Sequence, residues 1–266
     1  MGKEFMKIEV LVTTMHQTDL RKYKEMNLQT DAVLANQTDF YGYQEGKIDQ
    51  STVRMISTAT RGLSRNRNIA MAMSTGEYIL FADDDLQFVD NYADIIENEF
   101  AEHPEAEAIK FNLSDLSEDR KISMKSIEKF ERATMLNMGA SGVCGVAIKK
   151  NVLIRANLKF NEKFGSGTEN YCGEDTIFIF EMLKKKIKFY RSPKKIAGID
   201  QTVSSWFEGY NEKYFEVSGK LFMTMCPRLA RLMAIRSAYR FSKRERCQMS
   251  FTEILKCYIR GIQGNE

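Results

Sequence analysis

The chain has 266 residues, a formal net charge of +3 and 43% apolar residues. That supports one large domain, or a domain with an appendage, around an ordinary core, and it excludes wholesale disorder. The charge is too small to imply nucleic-acid binding by itself, and no apolar run approaches the roughly 20 residues needed to span a bilayer. The five cysteines, Cys144, Cys172, Cys226, Cys247 and Cys257, form no CxxC pair. An odd number of scattered thiols argues against a disulfide framework or a cysteine zinc site and suits the cytosol. The segment MGKEFMKIEV lacks the continuous apolar stretch of a signal peptide, so a cytoplasmic location is expected.

Residues 7–14 (KIEVLVTT) read as a first, central strand. The charged segment 19–28 covers the sheet as a helix or irregular turn. Residues 32–36 (AVLAN) form a second strand, and 51–56 (STVRMI) a weaker third. Ile69, Ala70 and Met73 recur at helical spacing, which predicts a helix over 64–74 with that face buried. Gly76 follows as a helix terminator. Tyr78 to Phe81 form a short buried strand that runs into Asp83, Asp84 and Asp85. Strand and helix alternate, so this half is an α/β layer with a mostly parallel sheet, and ligands of such sheets sit beyond the strands' carboxyl ends. Thr13-Thr14, Asn36 to Asp39 and Asp83 to Asp85 all fall at such ends.

Three adjacent carboxylates repel one another and cannot be buried unpaired. Facing a cation would relieve both problems, and in an extended segment Asp83 and Asp85 point to the same side. The alternative is a solvated acidic turn capping the amphipathic helix at 90–102, whose acids form its solvated face. Residues 106–112 suggest a strand, 113–135 a polar, partly helical acceptor-side insertion, and 139–148 (GASGVCGVAI) a glycine-rich strand and turn without the GK[ST] of a Walker loop. Glu174-Asp175 open a helix. Acids there suit the helix dipole, and the same placement can hold a carboxylate against a cleft.

Gly62, Arg67-Asn68, Gly76 to Phe81, Asp83-Asp84-Asp85 and, about 90 residues later, Gly173-Glu174-Asp175 together resemble family 2 glycosyltransferases. The resemblance spans roughly residues 7–206. It implies the GT-A fold: a Rossmann-like layered sheet flanked by helices. It also implies an inverting transfer from a nucleotide-sugar, UDP-linked, held through a divalent Mn or Mg. The acceptor would be a carbohydrate or lipid-linked glycan, in surface polysaccharide or other glycan assembly. On this reading Asp83 and Asp85 hold the metal and Asp84 the ribose. Thr13, Thr14, Asn36 and Asp39 line the nucleotide site. Arg67 approaches the phosphates, unless it is a surface helix arginine. Asp175 is the general base, and Glu174 orients it or binds acceptor. The metal-ligating His usual in the family is missing; this chain has only His16 and His103, and Asp200 is the substitute. The loop after the second strand also departs from the family, which shows adjacent acids and a Gly there. A nucleotidyltransferase of similar fold would need a basic glycine-rich loop after the first strand, which Thr13 to Gln17 is not. A non-catalytic scaffold would have no use for both acidic motifs.

Residues 1–214 are thus the expected catalytic domain, with a donor half of about 1–112 and an acceptor half of about 113–214. Residues 215–266 are a basic helical extension. Residues 220–246 carry eight basic residues and one acid. Leu229, Leu232, Met233 and Ile235 are interleaved with its arginines rather than set opposite them. The extension is expected to meet an anionic membrane surface, placing the protein peripherally at the inner face.

Overall fold

The computed structural model describes residues 6–115, 126–138, 142–199 and 209–264. In chain order its elements are β1 (Ile8–Met15), α1 (Lys22–Glu25), β2 (Asp31–Gln37), β3 (Gly42–Ile48), β4 (Ser51–Thr58), α2 (Leu63–Met73), β5 (Tyr78–Asp83), β6 (Leu86–Phe88), α3 (Tyr92–Glu102) and β7 (Ala108–Asp115). Then come β8 (Glu131–Arg132), α4 (Met135–Met138), β9 (Val146–Lys149), α5 (Lys150–Arg155), α6 (Glu174–Lys184), β10 (Phe189–Ile199), α7 (Glu212–Met225), α8 (Ala230–Phe241) and α9 (Phe251–Gln263).

The strands form one sheet in the order β3-β4-β2-β1-β5-β9-β7-β10-β6, with β8 on β10. The block β4-β2-β1-β5 is parallel, as expected, and so is β7 with β10. β9 runs antiparallel between β5 and β7, so the sheet as a whole is mixed. β1 is buried over seven of its eight residues because helices cover both sheet faces. Val10, Val12, Ala32 and Leu34 feed one core, and Leu11, Val33 and Ala35 the other, as strand alternation requires. The chain leaves β1 for β2 on one side and reaches β5 on the other. The switch point, where open α/β sheets bind ligands, therefore lies between β1 and β5.

Several expectations need correcting. β3 was not expected; it is a polar antiparallel edge strand on β4. The buried side of α2 is Ser64, Asn66, Arg67 and Ala70, while Met73 is exposed and Ile69 only half-buried. The helix turns a polar face inward where the Ser64 hydroxyl, the Asn66 amide nitrogen and the Arg67 guanidinium find partners. Gly76 is not the residue that ends α2, whose C-cap is Ser74. It is needed because a Cβ there would lie 2.5 Å from the Cβ of Glu9. Glu9 is itself buried, accepting from the amides of Thr75 and Gly76 and pairing with Arg54. The acids of α3 are not all solvated: Glu97 and Glu99 are buried, and Glu97 accepts from the Met6 amide. All five cysteines are free thiols.

Helices α7, α8 and α9 form a unit with its own core around Phe215, Ala234, Ile254 and Tyr258. α7 opens at Glu212, a little before the expected boundary. α7 and α9 cross at backbone contact: a Cβ on Gly219 would sit 2.3 Å from the Tyr258 carbonyl oxygen, and one on Gly261 2.0 Å from that of Glu216. A capping box, Ser250 with Glu253, starts α9. The unit packs on the rest of the fold through Val217, Met225 and Leu221 against Phe164 and Ile177.

Candidate active site

The register of the switch point brings the first group of site residues together. β1 and β5 run parallel with Thr13 opposite Asp83, so their carboxyl ends finish side by side. Thr13 Oγ1 donates to Asp83 Oδ1 and Thr14 Oγ1 to Asp84 Oδ2, each at 2.6 Å. Two hydroxyls of one strand thus hold two of the three crowded carboxylates of the next.

Arg67 comes up from α2 beneath them, with only 3% of its side chain exposed. Its Nη2 meets Asp83 Oδ1 and Oδ2 at 3.0 and 3.1 Å. Its Nη1 meets Asp175 Oδ1 at 2.5 Å and lies 3.7 Å from Glu174 Oε1. The guanidinium also lies 5.2 Å from the centre of the Phe160 ring. Arg67 is therefore no surface arginine; it joins the aspartate loop to the first turn of α6. Its neighbours hold α2 in place. Ser64 Oγ donates to the Phe164 carbonyl at 2.6 Å, Asn66 Nδ2 to that of Ala35 at 2.6 Å, and Asn68 Nδ2 to that of Phe160 at 3.0 Å.

Glycines shape the side of the site at the start of α6. Gly173 caps α6 at φ +107°, and Gly165 holds φ +109° where a Cβ would press on Glu174 and Ser64. Gly142 passes so close that a Cβ would lie 3.0 Å from Asp175 Oδ2. One carboxylate oxygen of Asp175 is on Arg67, and the other faces space that only a glycine leaves open.

The electrostatics follow from this packing. Burial disfavours the Arg67 charge, but Asp175 and Asp83 outweigh it and hold its pKa above the ordinary arginine value. Burial likewise pushes Asp83 up, yet Arg67 and the Thr13 hydroxyl hold it below the usual carboxylate range. Glu174 has weaker compensation. Burial, and then the charge of Asp175, push it up to about 7.

Sequence reading missed Lys110 on β7. It is buried, and its Nζ donates to the Gly142 carbonyl at 3.1 Å and to that of Cys144. Burial pulls its pKa below the ordinary lysine value, although Cys144, Asp175 and Asp83 act against that. It pins the loop that faces Asp175. The only signal in the sequence was a lysine inside the strand run Ala-Ile-Lys-Phe. Asn36 is fully buried, holding the backbone of Gln17 at 2.9 and 2.8 Å and Ser57 Oγ at 2.9 Å, so its amide positions the β1 loop. Asp39 is exposed and pairs with Arg61 at 2.5 Å. His16 is exposed, with φ +56°. Asp200 lies outside the described residues.

Among the described residues no group of three or more His, Cys, Asp or Glu side chains is arranged to hold a metal ion. Asp83 gives both oxygens to Arg67, whereas Asp85 is exposed at the mouth of the loop. The oxygen donors therefore fit a hard cation held through Asp85 and completed by substrate phosphates and water, as Mg²⁺ prefers, rather than by an Asp83–Asp85 pair.

A sequence model of glycosyl transferase family 2 matches residues 41–157, which include Arg67 and the three aspartates but stop before α6. No curated protein matches the chain. The fold is similar to that of S. aureus TarS. The TarS 1–349 complex with UDP-GlcNAc aligns at TM-score 0.59 and 15% identity, over 90% of this chain and 73% of that one. The complex with UDP aligns at 0.61 and 14%, over 97% and 81%. A longer TarS chain aligns at 0.60 and 16%, over 90% of this chain and 44% of that one. The family match over the aspartate half and the GT-A-like architecture of the whole agree: the chain is similar to the glycosyltransferases of family 2.

Proposed function

We propose that the enzyme moves a sugar from a UDP-linked donor to a hydroxyl of a carbohydrate or lipid-linked glycan, with inversion, in the assembly of a surface polysaccharide or related glycan. One observation carries this reading. A single guanidinium, Arg67, touches both Asp83 of the donor-side loop and Asp175 of the acceptor-side helix. On this reading the parts needed for leaving group and nucleophile meet at the switch point. Two of the TarS structures hold UDP-GlcNAc or UDP, which supports a uridine diphosphate donor.

A Mg²⁺ or Mn²⁺ at Asp85 would supply Lewis-acid neutralisation of the departing diphosphate. Arg67 contributes a fixed positive charge beneath the same region, already oriented and shielded from water. Asp175 Oδ2, beside Gly142, is placed to take the proton of the incoming hydroxyl. Glu174 retains a proton near neutrality and can donate a hydrogen bond to a substrate oxygen. Attack by the acceptor in one displacement inverts the anomeric centre.

The test is turnover of a panel of nucleotide-sugars with Mn²⁺, with Mg²⁺ and with EDTA. Metal-dependent release of UDP from one UDP-sugar is the expected result. Release of pyrophosphate from a nucleoside triphosphate and a sugar phosphate, with no nucleotide-sugar turned over, would overturn it.

A further inference from the structure

Helix α8 is built inside out. Its packing face is Ala230, Ala234 and Ala238, all fully buried. Three of its large apolar residues point away from the protein: Leu232 is 64% exposed, Ile235 48% and Tyr239 61%, and Leu229 just before the helix is 52% exposed, while Met233 and Phe241 pack inward. At 3.6 residues per turn, Leu232, Ile235 and Tyr239 fall within about 60° of one another on the helix wheel. They form one stripe opposite the alanines, and exposed Arg236 and Arg240 flank it on one side and Arg231 on the other. The interleaving read from the sequence is thus resolved into three bands: alanine inward, apolar outward, arginine along the edges. Residues 217–244 contain no Asp or Glu, and Arg228, Lys243 and Arg246 extend the positive field at both ends. Scattered exposed hydrophobics are ordinary. Leucine, isoleucine and tyrosine gathered in one exposed stripe, on a helix whose fully buried residues are all alanines, are not.

We infer that the outer face of α8 docks in the headgroup layer of an anionic lipid bilayer, with Leu232, Ile235 and Tyr239 entering the acyl boundary and the arginines meeting lipid phosphates. The chemistry selects this occupant. An apolar stripe needs somewhere dry, and a cationic border with no acid along the segment needs a continuous anionic surface. Arginine stems lie along apolar surface while their guanidinium groups reach the phosphates. None of the helices is long and apolar enough to cross a membrane among the described residues, so the contact is peripheral. The face is also mechanically tied to the catalytic layer. Met233 of α8 packs into the cluster of Phe164 and Ile177, and a Cβ on Gly173, the cap of α6, would lie 3.2 Å from Leu221 of α7. If the proposed transfer holds, docking would keep the acceptor side beside the lipid phase; the docking itself does not depend on that reading.

The experiment is co-sedimentation of the full chain with phosphatidylcholine vesicles and with vesicles of phosphatidylcholine and phosphatidylglycerol in equal parts, at low and high salt. Two surface variants are compared with wild type: L232S/I235S/Y239S and R231Q/R236Q/R240Q. All six positions are exposed, so both variants are expected to fold, which circular dichroism checks. Wild type should pellet with the anionic vesicles only and be released by high salt, and each variant should lose about tenfold or more in partitioning. The inference is overturned if wild type stays in the supernatant with anionic vesicles at low salt, or if both variants pellet like wild type. It is also overturned if sedimentation velocity without lipid shows a dimer that L232S/I235S/Y239S dissolves, which would assign the face to a second copy. The readout is sedimentation, so an inactive enzyme would not affect it.

Discussion

Arg67 and Asp175 form a 2.5 Å ion pair between residues 108 positions apart, and the same guanidinium holds Asp83. Two carboxylates from opposite halves of the site share one buried cation. Losing it leaves Asp83, Glu174 and Asp175 crowded and uncompensated. Arg67→Met is therefore expected to cost about 3–5 kcal/mol of stability. Arg67→Lys keeps the charge but not the two-point grip on Asp83, and should cost less. Urea denaturation midpoints of the three proteins measure both. A methionine variant as stable as wild type would show that the network carries no net energy.

Asp175→Asn should lower transfer by about 10²–10⁴-fold while donor affinity stays close to wild type, because the lost group acts on the acceptor. Steady-state turnover together with calorimetric UDP binding separates the two. Equal losses in both would make Asp175 a binding residue.

Glu174 gives a pH signature. Its pKa in the folded protein is about 7, raised by burial and then by Asp175 above the ordinary value of 4.5. A raised folded pKa means the native state binds the proton more tightly, so the contribution is complete below about 4.5 and is lost as pH rises through 7. Between those limits stability should fall by at most about 1.4 kcal/mol per pH unit on this account. Glu174→Gln, which cannot ionise, should flatten that part of the profile. Denaturation series from pH 5 to pH 8 for both proteins decide it; parallel profiles would remove Glu174 as the source.

Asp85→Asn should weaken metal-dependent UDP binding strongly and leave the fold intact, since Asp85 is exposed. Asp83→Asn should also weaken UDP binding, but through Arg67, and should cost stability as well. Calorimetry with and without Mn²⁺, run beside thermal melts, distinguishes them. If both variants bind UDP and metal like wild type, the metal is held elsewhere.

What the sequence made legible was local. β1, β2 and β5 are short apolar runs, and a buried parallel strand has little other way to be written. The three loops at their ends could be placed together because alternating strands and helices imply a parallel sheet, whose carboxyl ends share one edge. The polar contacts of α2 were hidden because the donors of Ser64, Asn66 and Asn68 reach carbonyls 100, 31 and 92 residues away. No periodicity in a window can show a partner at that distance. β3, Gly-Tyr-Gln-Glu-Gly-Lys-Ile, is an exposed edge and has no apolar alternation to read. Lys110 looked like a strand lysine; only the fold brings it to the Gly142 loop. The bands of α8 were not legible either: Leu229, Leu232, Met233 and Ile235 read as interleaved with arginines, and only the fold shows that Ala230, Ala234 and Ala238 take the inner face.

The backbone crossing of Gly219 and Gly261 has a mechanical meaning. Helices that touch main chain to main chain have no side-chain layer in which one can rock against the other. α7 and α9 therefore form a stiff pair on which α8 packs, and Leu221, inside α7, stands against the glycine that starts α6. A force applied to the outer surface of α8 would be delivered, with little give along the way, to the turn that carries Glu174 and Asp175.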